Sequence, residues 1–248
     1  MCSIVLRIAA EGVFIGANRD ELLARPWEAP AEFWPGVIGG RDSLAGGTWL
    51  GVNRHGVMAA VLNRTGTLGP AVGKRSRGEL PLLALQEPCA ADAAARFAAL
   101  DAGLYRSFNL VVADAGGGFL VCGLEGGQPV IAPLASGVTM ITSGAPNDVA
   151  MPRIARHLPR FRDTDFSGWG ELLADESGAW DEALNIPERD GFGTVCSSLI
   201  SITNAGLDWK FCGGRPGTAA FEKVGFCFSA GSGCEEFVDA GLRRHDGG

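Results

Sequence analysis

The sequence predicts an α+β protein: two mainly antiparallel sheets packed face to face, with helices on the outside. Two strand-rich blocks enclose and follow pairs of helical segments along the 248 residues. The strands are near-continuous apolar runs, as sheets covered on both faces require. No stretch repeats or resembles a linker, and a chain that is 46% hydrophobic can bury a large core, so one domain spanning 1–248 is expected.

The first element is a hairpin. Ser3 to Ala9 is apolar enough for a strand buried on both faces, Glu11-Gly12 is the expected turn, and Val13 to Ala17 is the returning strand. That turn sets Cys2 opposite Glu21, or opposite Asp20 if one residue is bulged. Two readings of Cys2 are then open. It is a small buried hydrophobe beside a solvated Asn18-Arg19-Asp20-Glu21 loop, which composition alone favours. Or it is a nucleophile: methionine aminopeptidases remove Met1 before a small residue, and the exposed α-amine, with a pKa near ~8, can take the thiol proton while Asp20 or Glu21 orients it.

Arg25 to Gly47 reads as a long connection with Pro26, Pro30 and Pro35, its Trp27, Phe33 and Trp34 forming either a pocket wall or anchors to the core. Thr48 to Asn53 and Val57 to Leu62 predict a second hairpin around Arg54-His55-Gly56. Counting back from that turn sets Asn63 beside Gly46-Gly47, where bare backbone admits a ligand and the Asn63 amide suits an oxyanion hole. An ordinary turn is the alternative, since Asn63-Arg64-Thr65-Gly66 is good turn chemistry. Lys74-Arg75-Ser76-Arg77 precedes a helix from about Gly78 to Gln86; cations there oppose the helix dipole and suit an anion such as a substrate carboxylate.

Ala90 to Leu100 continues as an alanine-rich helix, and strands return at Phe108–Ala113, Phe119–Leu124, Pro129–Ala132 and Val138–Ile141. The turn Gly116-Gly117-Gly118 is not followed by a helix, so it is no phosphate cradle. Helices are expected over Asp148–Leu158 and Gly168–Ala174, with a continuation near Trp180–Leu184. Strands at Val195–Thr203 and Lys223–Phe228, joined by a polar, glycine-rich excursion, close the fold before a mobile tail after about 229.

A net charge of −7 and a pI near 5.0 offer no broad basic face to a nucleic acid. No apolar run is long enough to span a bilayer, and Arg7 and Glu11 break the pattern of a signal peptide, so a cytoplasmic protein is expected. Seven cysteines without a Cys-x-x-Cys pair predict reduced thiols and no zinc site.

Met1-Cys2, Asn18-Arg19-Asp20-Glu21, Arg25-Pro26, Phe33-Trp34, Gly46-Gly47-Thr48-Trp49-Leu50-Gly51, Asn63 and Arg75-Ser76-Arg77-Gly78 together resemble the NRDE-motif family, which includes the transport and Golgi organization protein 2 relatives. The match is dense over the first eighty residues, with weaker echoes at Phe108-Asn109-Leu110, from Ser143 to Arg153, and at Gly193-Thr194. The resemblance implies the four-layer αββα fold of N-terminal-nucleophile (Ntn) hydrolases and chemistry like that of thiol enzymes that cleave amides of bile acids and penicillins. It puts Cys2 at the nucleophile, Asp20 at the acid near the α-amine and Asn63 in the oxyanion hole. Glu21, Trp27, Phe33, Trp34, Gly46, Gly47, Trp49, Arg75 and Arg77 are then expected around a small or lipid-like substrate.

The chain departs from the family pattern twice. Ser143-Gly144 stands where relatives tend to show Ser-Asn, and Gly193-Thr194-Val195 where Gly-Thr-Arg is expected, which leaves Arg19 as the substitute cation beside the nucleophile. Hydrolysis of this kind requires no cofactor. The family is also linked to haem trafficking, which implies bound haem and no turnover; His55, His157 and the cysteines are then possible ligands, though none lies in a haem motif. A catalytically silent acyl carrier is the third possibility.

Overall fold

The computed structural model describes residues 2–226. The chain opens with a hairpin, β1 (Ser3–Ala9) and β2 (Gly12–Leu22). A meander follows: β3 (Trp27–Trp34), β4 (Val37–Asp42), β5 (Thr48–Asn53) and β6 (Met58–Asn63), helices α1 (Glu79–Ala84) and α2 (Ala90–Ala95), then β7 (Phe108–Asp114), β8 (Gly117–Gly123) and β9 (Val130–Pro133). The chain returns through β10 (Gly137–Ile141), helices α3 (Pro152–Asp163) and α4 (Trp169–Leu173), and β11 (Phe192–Thr203), β12 (Gly206–Cys212) and β13 (Glu222–Lys223). Two sheets result, a six-stranded one ordered β10-β1-β2-β11-β12-β13 and a seven-stranded one ordered β3 to β9. Every pairing between these strands is antiparallel.

The apolar patterning explains the layers. In β1, Ile4, Leu6 and Ile8 point into the core between the sheets, while Val5 points outward against Ile154, Phe161 and Trp169 of the helices. A strand covered on both faces therefore reads as an unbroken apolar run. β2 alternates likewise: Val13 and Ile15 fill the inter-sheet core, and Phe14 meets Phe166 with ring centroids 5.1 Å apart. At Gly16 a Cβ would crowd the Trp169 ring, so glycine there lets α4 settle on the sheet. On the far side α1 and α2 cover the seven-stranded sheet through Leu80, Ala84, Ala93 and Ala94, with Phe97 just beyond α2. Among the described residues no helix is long and apolar enough to cross a membrane.

Several elements differ from expectation. The first turn is Ala10-Glu11, because Gly12 already pairs with Ala9 and, across the sheet, with Thr203. The register therefore moves by two residues: Ser3 pairs with Asn18, and its continuation sets Cys2 opposite Arg19, not Glu21 or Asp20. Arg25 to Gly47 is not an irregular connection but the edge hairpin β3–β4, whose two register shifts and Pro30 disguise it in sequence. Proline is tolerated because β3 lacks a second neighbour. The polar excursion after β11 contains β12, where Trp209 and Phe211 alternate inward against Asp208 and Lys210.

Trp180–Leu184 makes a single turn, Ala183 N–H donating to Ala179 O at 3.0 Å, before Leu184 N–H turns back to Asp175 O. The helix expected from Asp148 begins at Pro152, a favoured helix-start residue. The last expected strand is reduced to Glu222–Lys223 within the described residues, which also exclude the expected tail.

His157 is fully buried on α3, with Nε2 2.9 Å from Glu182 O and Nδ1 3.0 Å from Arg160 Nη1. Burial pushes its pKa down to about 4; the Glu182 carbonyl opposes the shift and the Arg160 charge adds to it. The unfolded chain takes up this proton near pH 6.5 while the native protein does not, so stability is complete above that pH and is lost as pH falls towards 4. Thermal midpoints measured between pH 7.5 and 4.5 are expected to fall less steeply in His157→Asn than in the wild type. Parallel curves would contradict this assignment.

Candidate active site

β1, β2 and β11 are neighbouring inner strands of the six-stranded sheet, and β5 and β6 face them across the core. Their ends enclose a narrow pocket. Its wall carries Cys2, Arg19, Trp49, Leu62, Cys196 and Ser198 among small and aliphatic neighbours. Ala17, Ala60 and Ser198 leave room where bulkier residues, such as Ile15 and Ile200, close the core deeper in.

The Cys2 thiol donates to the Asp20 backbone carbonyl at 3.7 Å. Burial pushes the thiol pKa up and the Asp20 charge adds to the shift, while the amino-terminal charge, the Asp20 hydrogen bond and Arg19 pull it down. The net direction is upward, so Cys2 needs a proton acceptor to become a thiolate. Cys196 shares the pocket wall, and burial pushes its thiol up as well.

The Asp20 carboxylate, with no exposed side-chain surface, lies among side chains of the helical layer. Its Oδ2 accepts from Arg153 Nη1 at 3.0 Å, and its Oδ1 from Thr194 Oγ1 at 2.7 Å. Arg153, itself 4% exposed in its side chain, also donates to Ser3 Oγ at 3.1 Å. Thr194 Oγ1 in turn accepts the Ile186 N–H at 2.7 Å. Neither Arg153 nor Thr194 was given a role by the sequence reading; both lay at the edges of weak echoes, and only the folding of α3 and β11 onto β2 brings them to Asp20. Val195, where an arginine was expected, is the bulge residue of β11 and packs against the inter-sheet core.

Arg19 occupies the opposite face of β2 and spans the gap between the sheets. Its Nη2 donates to Asp42 Oδ2 at 3.2 Å, and its guanidinium lies 4.2 Å from the centroid of the Trp49 ring. Trp49 lies over Gly40, where a Cβ would overlap the ring. Arg25 Nε joins Asp42 Oδ2 at 2.6 Å, and Glu21 lies 3.9 Å from Arg19 and 3.7 Å from Arg25. Burial alone would raise the Asp42 carboxyl, but the Arg25 hydrogen bond, the Ala45 N–H and the two guanidinium charges hold it below its usual range.

The remaining expected residues divide. Asn63 ends β6, half-buried, and its amide has no hydrogen-bond partner among the described residues. The next two residues are tied to the segment after β10: Arg64 Nη1 donates to Gly144 O at 3.3 Å, and Thr65 Oγ1 lies 3.0 Å from Ser143 Oγ. Trp27 packs edge-on to Trp49 at 5.8 Å, behind the pocket wall. Phe33 and Trp34 line a separate surface pocket with Arg41, Asp42, Ser43 and Gly46, so among the described residues the aromatic that lines the pocket beside Cys2 is Trp49.

Gly47 serves the chain's own backbone, since a Cβ there would collide with Gly78, whose carbonyl accepts the Thr48 N–H at 2.9 Å. Arg75 is exposed and pairs with Glu79 at 2.6 Å. Arg77 clamps the loop after Asn63, donating to Thr67 O at 2.8 Å and Ser107 O at 3.0 Å. His55 sits in the turn at the far end of β5–β6, and His157 is enclosed in the helical layer.

Comparison with known proteins fits this architecture. The chain resembles the structure of a Caenorhabditis elegans N-acylethanolamine-hydrolyzing acid amidase ortholog, with a TM-score of 0.55 at 16% identity over 81% of this chain and 92% of that one. It also resembles the C2A mutant of the conjugated bile acid hydrolase from Clostridium perfringens, with a TM-score of 0.57 at 10% identity over 95% of this chain and all of that one. At such identities the likeness establishes the fold, which is Ntn-hydrolase-like. Transport and Golgi organization protein 2 homologs from Bos taurus and Homo sapiens are 36% and 34% identical over 110 residues. Those stretches span 41% of this chain and 38% of the relatives' own length. The model of the Transport and Golgi organisation 2 family matches residues 1–165, and the chain belongs to that family.

Proposed function

We propose that the protein hydrolyses a small or lipid-like amide with Cys2 as its nucleophile, after removal of Met1. The observation that supports this best is the placement of the Cys2 thiol, which shares a pocket with Arg19 and hydrogen-bonds the Asp20 backbone while the Asp20 carboxylate is fixed by Arg153 and Thr194. The fold neighbours include, by name, an acid amidase and a bile acid hydrolase, and the same class of bond is assigned here as a proposal.

The buried thiol does not ionise readily by itself, so the freed α-amine of Cys2 takes its proton. The sulfur attacks the amide carbonyl, an S–C bond forms, and the carbonyl π pair moves to oxygen. Asn63 and backbone N–H groups stabilise that oxygen. The ammonium proton passes to the leaving nitrogen, the C–N bond breaks, and the amine departs. Water then hydrolyses the thioester to a carboxylic acid and restores the thiol. Asp20 holds the ammonium form between these transfers.

The test is release of free amine from a library of bile-acid, penicillin and fatty-acyl amides by the wild-type protein, with a haem titration beside it. Amine release from at least one member is the expected result. Saturable, stoichiometric haem binding with no amine release would move the assignment to a carrier.

A further inference from the structure

We infer that the end of the sandwich holding the Cys2 pocket docks on an anionic lipid bilayer, with Leu68 and Val72 as the tips of the contact. The inference is independent of the hydrolase reading. Among the described residues, every exposed large hydrophobic side chain lies at this one end. Leu22 and Leu23 stand where β2 ends, Leu44 between β4 and β5, and Val149 after β10, while Leu68 and Val72 belong to the loop 64–78 between β6 and α1. The turns at the opposite end, such as Ala10-Glu11 and Arg54-His55-Gly56, carry none. Single exposed apolar side chains are ordinary on a protein surface, but their confinement to one end marks a contact face.

The loop 64–78 is built to present its apolar side chains outward. Arg106 Nη1 donates to Leu68 O at 2.6 Å and its Nη2 to Gly66 O at 2.9 Å. Arg77 Nη2 reaches Gly69 O at 3.3 Å, and Lys74 Nζ ties the loop to Gly103 O at 2.6 Å. Gly66, Gly69 and Gly73 supply left-handed turns, with φ of +78°, +78° and +74°. With its carbonyls drawn inward to these cations, the loop cannot turn Leu68 into the core. Leu68 is 55% exposed as a result, and Val72 is fully exposed.

Charge decides the partner. The chain carries a net charge of −7, yet the loop 64–78 holds Arg64, Lys74, Arg75 and Arg77 and no carboxylate. Lys74 donates to a carbonyl, and Arg77 to carbonyls and the Thr67 hydroxyl, so these hydrogen bonds cancel neither charge. Arg75 and Arg106 are offset by Glu79 and Glu125. The carboxylates Asp148, Glu188 and Asp190 adjoin strands of the six-stranded sheet, so the loop side of this end leads the contact. Apolar tips flanked by uncompensated cations match an anionic headgroup layer over acyl chains.

The test is co-sedimentation of the full chain with vesicles of phosphatidylglycerol and phosphatidylcholine in equal parts, beside vesicles of phosphatidylcholine alone. The wild type is expected to sediment with the first and much less with the second, and to be released by high salt. Leu68→Glu with Val72→Glu should lower partitioning into the anionic vesicles by at least about tenfold, since both apolar side chains lose their burial. Ala205→Glu, in the turn at the opposite end, should bind as the wild type does. Both changes lie on exposed residues, and Val72→Trp supplies a second reading: its added fluorescence should shift to the blue when anionic vesicles are present. Failure of the wild type to sediment with anionic vesicles at low salt, or equal sedimentation of the double glutamate variant, would overturn the inference. So would a wild-type dimer, without lipid, that the double variant breaks, since the face would then belong to a second copy of the chain. None of these readouts depends on amide turnover, so the result stands or falls apart from the assignment of Cys2.

Discussion

Cys2→Ala is expected to abolish amide turnover while leaving ligand binding intact. Loss of the nucleophile in a site that works as a unit typically costs about 10⁴–10⁶ in kcat, far more than the loss of one oxyanion donor. Binding should survive because the pocket's apolar wall, Trp49 and Arg19 do not depend on the sulfur. Cys2→Ser should fall near the alanine variant, since a hydroxyl is harder to ionise than a thiol and the pocket already disfavours the anion by burial. Turnover numbers and equilibrium binding measured on the same preparations separate the two effects. Wild-type turnover in Cys2→Ala would remove Cys2 from the chemistry.

Arg153→Met is expected to produce the largest loss of stability among the changes considered. It strips the buried Asp20 carboxylate of a cationic partner 3.0 Å away, on a side chain with no exposed surface. Breaking such a pair from one side costs about 3–5 kcal/mol, a large share of the roughly 5–15 kcal/mol that holds a folded domain. Replacing both members with apolar groups, Arg153→Met with Asp20→Leu, should recover much of that loss in denaturant midpoints, because no uncompensated charge remains. A single variant within about 1 kcal/mol of wild type would show that Asp20 and Arg153 behave as a solvated surface pair.

The layered architecture was readable because strands covered on both faces leave apolar runs such as Ile4-Val5-Leu6 that little else in a chain of this composition explains. The hairpin β5–β6 was legible for a similar reason, with Arg54-His55-Gly56 marking its turn. The edge hairpin β3–β4 was hidden by its register shifts and Pro30. The alternation in β12 was present at Leu207, Trp209 and Phe211 and was masked by the glycines around it.

At the site, sequence placed Cys2, Arg19 and Asp20 near one another, since neighbouring strands of a hairpin carry them. It could not fix their partners, because a one-residue error in the turn shifts the register by two, which preserves the alternation while misplacing each partner. That error mattered: Arg19, and not Glu21, is the residue level with Cys2. Arg153 and Thr194 were beyond reach, as each lies more than 130 residues from Asp20 and meets it only through tertiary packing. At Gly47 the sequence left two readings open, because the bare backbone that suits a ligand equally suits the close approach of Gly78 seen in the structure.

The central claim is that Cys2, freed of Met1, carries the acyl group. Intact mass and N-terminal peptide mapping of wild-type protein, acid-quenched during turnover of a hydrolysed amide, test it most directly. The expected result is a chain that begins at Cys2 and bears the acyl mass on the Cys2 peptide, with the adduct decaying as substrate is exhausted. A chain that retains Met1 and turns over the amide without any acyl mass on Cys2 would contradict it.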